Sequence, residues 1–229
     1  MRFTLKHPIV LLSAAVVLCA ALTYTDISKS SPAFSALPIS GKTIILDPGH
    51  GGWDPGKTGI SGENEKDINL KIALRIKDYL EQGGAEVYMT RETDTALSQT
   101  KSGDMKERIN HAKKGEANVF ISIHQNAFTS AAPRGAQVFY YNGSDGGKAL
   151  AECIQSRLIS FADSKNTRSA KQNSSYYILK KTDIAAIIIE CGFLSNPAEE
   201  RELNTEEYRD KIAWAVYMGL WDYFSEQST

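Results

Sequence analysis

The run Ile184 to Cys191 (Ile-Ala-Ala-Ile-Ile-Ile-Glu-Cys) is the most apolar stretch of the domain, and it constrains the fold more than any other feature. It is too short for an ordinary helix and does not alternate, so it reads as a strand buried on both faces, which requires helices above and below a sheet. The rest of the chain supplies them. Thr43 to Leu46 is a β-branched run stopped by Asp47-Pro48-Gly49, Val119 to Ile123 is an apolar run bounded by Asn118 and His124, and Ala85–Thr90 and Gly135–Tyr141 read as further strands. Tyr176 to Leu179 is read as a short strand after a polar, mobile-looking loop. Between these lie helical stretches. Glu65 to Gln82 places Ile68, Ile72, Ile76 and Tyr79/Leu80 on one face and ends at Gly83-Gly84. Asp104 is read as the cap of a second helix reaching about Lys114, and Gly147 to Phe161 forms a third. Asn196-Pro197-Ala198-Glu199 starts a short helix, and Asn204 with Glu207 is read as the box opening the last one, with the face Ile212, Val216, Leu220 and Phe224. This alternation predicts an α/β fold: a single domain with a central twisted, mostly parallel sheet of about six strands and helices on both faces. A chain of 229 residues is too short for two independently cored domains.

Ahead of the domain, Arg2 and Lys6 precede an apolar run from Ile9 to Leu22, the order expected of an export signal. No small-x-small cleavage site follows Leu22, so residues 1–27 are read as a signal or uncleaved membrane anchor, and lipidation of Cys19 is disfavoured by the bulky Leu18. Residues 28–40, rich in Ser, Pro and Ala, read as a spacer, leaving 41–229 as the functional domain. This predicts an exported protein whose domain lies at the outer face of the membrane. The 26 basic and 27 acidic residues nearly cancel, so no global field would gather a polyanion, and no nucleic-acid partner is expected. Cys153 and Cys191 are read as buried free thiols. The basic stretch Lys165 to Lys181, with Arg168, Lys171 and Lys180, is read as solvated surface rather than a binding face.

In open α/β sheets the ligand site lies beyond the carboxyl ends of the strands. His50 follows the first strand, His124 ends the third, Glu190 closes the apolar strand, and Glu65 opens the helix after the His50 loop. Two imidazoles and a carboxylate are donors that zinc favours, and a further carboxylate outside that set can carry a proton to a leaving amine. Asp47, Glu63 and Asp67 compete with Glu65 for the third position, and Asp47 is read as orienting His50. His7 and His111 are read as uninvolved. The scattered donors form no compact metal motif, so spacing alone leaves the metal site unsettled. The Gly-rich segment 49–59 matches neither phosphate-binding fingerprint.

Several ordered blocks resemble one family. Asp47-Pro48-Gly49-His50-Gly51-Gly52, Glu65-Lys66-Asp67-Ile68-Asn69-Leu70, Thr90-Arg91 with Asp94, Arg108, Ser122-Ile123-His124-Gln125-Asn126-Ala127 and Ile189-Glu190-Cys191-Gly192-Phe193-Leu194-Ser195-Asn196 are similar to the zinc-dependent N-acetylmuramoyl-L-alanine amidases. The similarity runs from Gly41 to Phe224. It implies one zinc ion on His50, Glu65 and His124, with Glu190 as the catalytic proton carrier, cutting the amide between muramic acid and L-alanine of peptidoglycan. Gln125, Cys191 and Ala185 depart from the usual pattern without removing a ligand. The single tethered domain looks most like the sporulation amidases, which act in spore cortex maturation towards muramic-δ-lactam in the forespore intermembrane space. Two other readings are a zinc peptidase cutting within stem peptides and a non-catalytic exported wall-binding protein. The short loop between Ala127 and Gly135 and the polar segment Ala162–Ser175 offer no helix to plug the cleft. Control is therefore expected from timing, the tether or a membrane-associated accessory protein, with Trp214 or Trp221 as contact if either is not simply core.

Overall fold

The computed structural model describes residues 37–113 and 116–227. The expected signal or anchor (1–27) and all but the end of the 28–40 spacer lie outside the described residues. The apolar runs form strands β1 (Thr43–Pro48), β2 (Glu86–Met89), β3 (Val119–Asn126), β4 (Gln137–Tyr141), β5 (Lys171–Asn173) and β6 (Ala185–Phe193). They make one six-stranded sheet in the order β2-β1-β3-β6-β4-β5, parallel throughout except where β4 meets β6. The helices are α1 (Glu65–Gln82), α2 (Lys101–Ala112), α3 (Asp145–Phe161), α4 (Tyr177–Lys181), α5 (Pro197–Leu203) and α6 (Glu206–Glu226). The expected single α/β domain with a mostly parallel sheet is borne out. Among the described residues no helix is long and apolar enough to cross a membrane.

Side chains alternate across each strand, so register decides which layer each residue joins. Leu46, Ile121, Ile123, Ile187 and Ile189 face the larger core, where they meet Ile68, Ile72 and Ile76 of α1, Ile154 of α3, and Ile212 and Val216 of α6. Ile45, Phe120, Phe139 and Ile188 face the other way onto a smaller cluster with Ile109 of α2 and Ile178 and Leu179 of α4. By the same alternation, Asp47, Ser122, His124 and Glu190 fall on this thinner side. Core packing already begins at Ile39, which is fully buried just ahead of the expected domain start at Gly41.

Four sequence expectations need correction. Tyr176–Leu179 is not a strand: Ile178 and Leu179 are neighbours and both buried, which a helix allows and an alternating edge strand does not. The sixth strand is instead β5, polar and invisible to a hydrophobic pattern because it joins the sheet only through β4. The loop leading to β5 is also pinned: the buried Asn166 donates to Ala136 O (2.8 Å) and accepts from Arg168 N (3.0 Å). Two caps shift as well. Thr100, not Asp104, accepts from Gly103 N at the start of α2, since Asp104 is engaged by Leu97 N and Arg108. Thr205 rather than Asn204 caps α6, because the Asn204 amide is turned towards Glu200 and Ser61.

A buried charge cluster fixes the loop after β1. Asp47, 1% exposed, accepts from Arg108 Nη1 (2.6 Å) and Thr90 Oγ1 (2.7 Å) on one oxygen and from Ser122 Oγ (2.6 Å) on the other. Arg108 also donates to Pro48 O (2.9 Å) and His50 O (2.6 Å), while Arg91 donates to Pro48 O (3.0 Å), Gly49 O (3.0 Å) and Lys66 O (2.8 Å). Three successive carbonyls are thus turned inward onto two guanidinium forks, the planar multi-donor geometry that Lys cannot supply. The loop needs such anchoring. His50 sits at φ 61°, a left-handed conformation that costs a non-glycine residue about 1–2 kcal/mol. Burial and the charge of Arg108 bring Arg91 down to about 10, which leaves it protonated at neutral pH.

Two predictions follow from this packing. A Cβ on Gly219 of α6 would lie 2.7 Å from Ile154 Cα on α3, so Gly219→Ala should cost about 1–3 kcal/mol by overpacking, more than the ~1 kcal/mol of helix propensity it gains. A urea midpoint equal to or above wild type would show that the two helices have room. Burial alone would raise the Asp47 pKa, but Arg108, Ser122 and Thr90 outweigh it and hold it below 3.8. Its contribution to stability is therefore complete above the unfolded-state pKa and is lost as pH falls through the lower folded-state value. Asp47→Asn should cost about 3–5 kcal/mol at neutral pH by removing the fully buried partner of Arg108 and leaving it only the Asp104 pair. The variant should also lose less stability than wild type on acidification, as read from unfolding midpoints at several pH values.

Candidate metal centre and active site

Three of the four expected site residues converge beside the end of β1. Glu65 Oε1 stands 3.2 Å from His50 Nε2 and 3.0 Å from His124 Nδ1, and one donor atom from each residue lies within 4.8 Å of the others. The two imidazoles meet edge to face with centroids 5.0 Å apart. Gly49 makes this approach possible, since a Cβ there would sit 2.2 Å from His124 Cε1. Glu65 reaches the cluster because it opens α1, with its N–H bonded to Lys57 O. Its carboxylate also accepts from Gln125 N (3.1 Å) and Lys57 N (2.9 Å).

Asp54 Oδ2 lies 3.0 Å from His50 Nδ1, so a proton on Nδ1 is held by Asp54 and the Nε2 lone pair faces the cluster. This corrects the expectation for Asp47, which acts on His50 only at one remove, through Arg108. Burial disfavours the His50 imidazolium, but hydrogen bonds and charge from Glu65 and then Asp54 outweigh it and raise the pKa. Burial likewise opposes ionisation of Glu65. His124 and His50 reverse that effect and hold its carboxyl far below the ordinary range. An ionised carboxylate and two imidazoles, each with a nitrogen facing a common point, are a donor set that fits zinc and leaves a position for a small molecule.

Glu190 pairs with His124 across β6 and β3 and lies on the same face. It is 9% exposed, and its Oε2 has no hydrogen-bond partner among the described residues. Tyr176 Oη stands 3.5 Å from its Oε1. Burial raises the Glu190 pKa, with the Glu65 charge adding to the rise and His124 opposing it. A buried oxygen without a partner costs about 1–3 kcal/mol, so this carboxylate is held ready for a donor the protein itself does not provide. Burial and Glu190 push the Tyr176 hydroxyl up to about 12, keeping it a proton donor at neutral pH.

The competitors for the third position stand apart. Glu63 is paired at the surface with Lys71 (2.5 Å), while Asp67 and His111 are not in the cluster and His7 lies outside the described residues. Sequence reasoning missed Asp54 and Tyr176. Asp54 is one acidic residue in a Gly-rich loop, and only its spacing of four from His50 hints at a role. Tyr176 was hidden by the strand reading, which gave it no reason to face the cleft. Cys153 and Cys191 are free thiols as expected, although only Cys191 is fully buried.

The sequence profile described as N-acetylmuramoyl-L-alanine amidase matches residues 44–222. A germination-specific N-acetylmuramoyl-L-alanine amidase of Bacillus subtilis (strain 168) is 41% identical over 200 residues, covering 84% of this chain and 84% of that one. The CwlD amidase of Clostridioides difficile, solved in complex with the GerS lipoprotein, is 41% identical and superposes with a TM-score of 0.79 over 81% of this chain and 100% of that one. An N-acetylmuramoyl-L-alanine amidase from Clostridium difficile 630 is 33% identical, with a TM-score of 0.75 over 82% and 99% of the two chains. With that profile running from β1 into α6 and relatives aligned over most of both chains, the protein belongs to the N-acetylmuramoyl-L-alanine amidase family.

Proposed function

We propose that this chain hydrolyses the amide between the lactyl group of muramic acid and L-alanine in peptidoglycan, with zinc held by His50, Glu65 and His124 and the proton carried by Glu190. The observation that carries the reading is the convergence of three zinc-type donors within 4.8 Å, next to a buried carboxylate oxygen with no partner. Zinc supplies Lewis acidity at such a site, lowering the pKa of water to about 7 and polarising a carbonyl. Glu190 Oε2 accepts the proton released as water attacks the lactyl carbonyl, then returns it to the nitrogen of L-alanine as the C–N bond breaks. Burial raises the Glu190 pKa, the direction that suits a carboxylate that must take up a proton and then give it back. Asp54 keeps His50 in the tautomer that presents Nε2.

The germination-specific relative supports a place in spore cortex maturation, towards muramic-δ-lactam. We take residues 1–27 as the export signal or anchor, 28–40 as spacer and 41–229 as the catalytic domain, acting at the outer face of the membrane or in the forespore intermembrane space. That the Clostridioides relative was solved with a lipoprotein supports a membrane-associated accessory partner here as well. Trp214, 37% exposed and stacked on Tyr217 at 5.3 Å, is the stronger of the two candidate contacts, since Trp221 is half-buried.

His124→Ala should lose bound zinc and activity together, measured by metal analysis after dialysis; full metal retention would remove His124 from the ligand set. Glu190→Gln should keep zinc and fold yet lose about 10²–10⁴-fold in kcat, because an amide cannot take the proton. Normal turnover by that variant would require a different base. Labelling the amine released from digested peptidoglycan tests the bond: label on L-alanine next to muramic acid supports the reading, and label farther along the stem refutes it.

A further inference from the structure

The sheet register extends the site beyond Glu190. Gln137 is the direct antiparallel partner of Glu190 across β4 and β6, so both side chains stand on one face, about 5 Å apart at their Cβ atoms. His124 is the partner of Glu190 on the other side. His124, Glu190 and Gln137 thus form a polar row across three adjacent strands. Arg168 closes its far end.

Arg168 is held as a flat, oriented fork. Its Nη1 donates to Gln137 Oε1 (3.1 Å), its Nε donates to Arg134 O (2.6 Å), and the guanidinium lies over the Phe193 ring, 4.7 Å from the centroid. Gln137 is itself locked, since its Nε2 donates to Ser169 O (3.0 Å). The backbone beneath is also pinned by Asn166, so the guanidinium is not the loop's sole anchor. Arg134 is paired with Asp163, but Arg168 makes no ion pair and its Nη2 no hydrogen bond among the described residues. An immobilised, uncompensated guanidinium with a free donor matches the geometry of a carboxylate.

We propose that Arg168 is a substrate anchor that binds a free carboxylate of the stem peptide beyond L-alanine, so that the enzyme prefers stems whose second residue carries a free rather than an amidated carboxylate. The proposal deepens the amidase reading and rests on it. Two strand spacings of about 4.8 Å separate the His124 and Gln137 strands. An extended peptide covers that span in about two to three residues, which reaches past L-alanine to the first free carboxylate of the stem.

The test uses the full-length, zinc-loaded chain and two synthetic muropeptides that differ only in a carboxylate or a carboxamide on the second stem residue. Wild type should favour the free acid through KM. Arg168→Gln should raise KM for the acid by roughly ten- to hundredfold while leaving kcat, zinc content and cleavage of the amide substrate near wild type. Arg168→Lys should recover part of the preference. Equal use of both substrates by wild type, or an equal loss on both in Arg168→Gln, would overturn the anchor and make Arg168 a brace for the cleft. Failure of wild type to cut either would overturn the amidase reading itself, and the anchor with it.

Discussion

Everything at the cleft depends on the burial of Asp47 against Arg108, with Arg91 beside them. The carbonyls of Pro48, Gly49 and His50 point into the protein, an arrangement a loop adopts only when strong donors wait there. The two guanidinium groups provide those donors, and Asp47 balances part of the charge they bring. His50 can then hold a left-handed backbone and present its ring to Glu65 and His124. The metal-type cluster is therefore organised from below, by groups that hold His50 through its backbone carbonyl rather than its ring.

A second asymmetry is architectural. One face of the sheet is covered by the three longest helices, while the other carries only α2 and the single turn of α4 over a smaller apolar cluster. The polar row from Asp47 to Gln137 lies on the thinly covered side, where substrate can enter without displacing core. The heavily packed side, with α3 and α6 almost touching at Gly219, supplies the rigidity that the open side lacks.

Most of the fold was legible because its strands are apolar and its helices periodic, while polar residues at strand ends gave only candidate donors, which the resemblance to the amidases narrowed to one set. His50, Glu65, His124 and Glu190 could be named because each interrupts or terminates a pattern. What escaped notice leaves no such mark. Strand β5 is polar and pairs through backbone alone, and Asp54 is one of two acids in a Gly-rich loop that forms no periodic pattern. The misplacement of Asp47 was of another kind: its burial was foreseeable, but its partners come from Thr90, Arg108 and Ser122, far away in sequence. Pairings at that separation are set by strand order, which hydrophobic periodicity does not encode.

Strand order also governs how the enzyme comes into being. β6 is the last strand in the chain, yet it lies in the middle of the sheet, between β3 and β4. Until it arrives there are two separate pieces, β2-β1-β3 and β4-β5, with no strand joining them. All three zinc-type donors belong to the first piece and its helix α1, whereas Glu190 comes with the joining strand. A chain made from its N-terminus thus carries His50, Glu65 and His124 before the strand that bears Glu190 has been made. The strand that completes the sheet is therefore also the one that brings Glu190 beside His124, and a chain cut before Ala185 would lack both the join and that carboxylate.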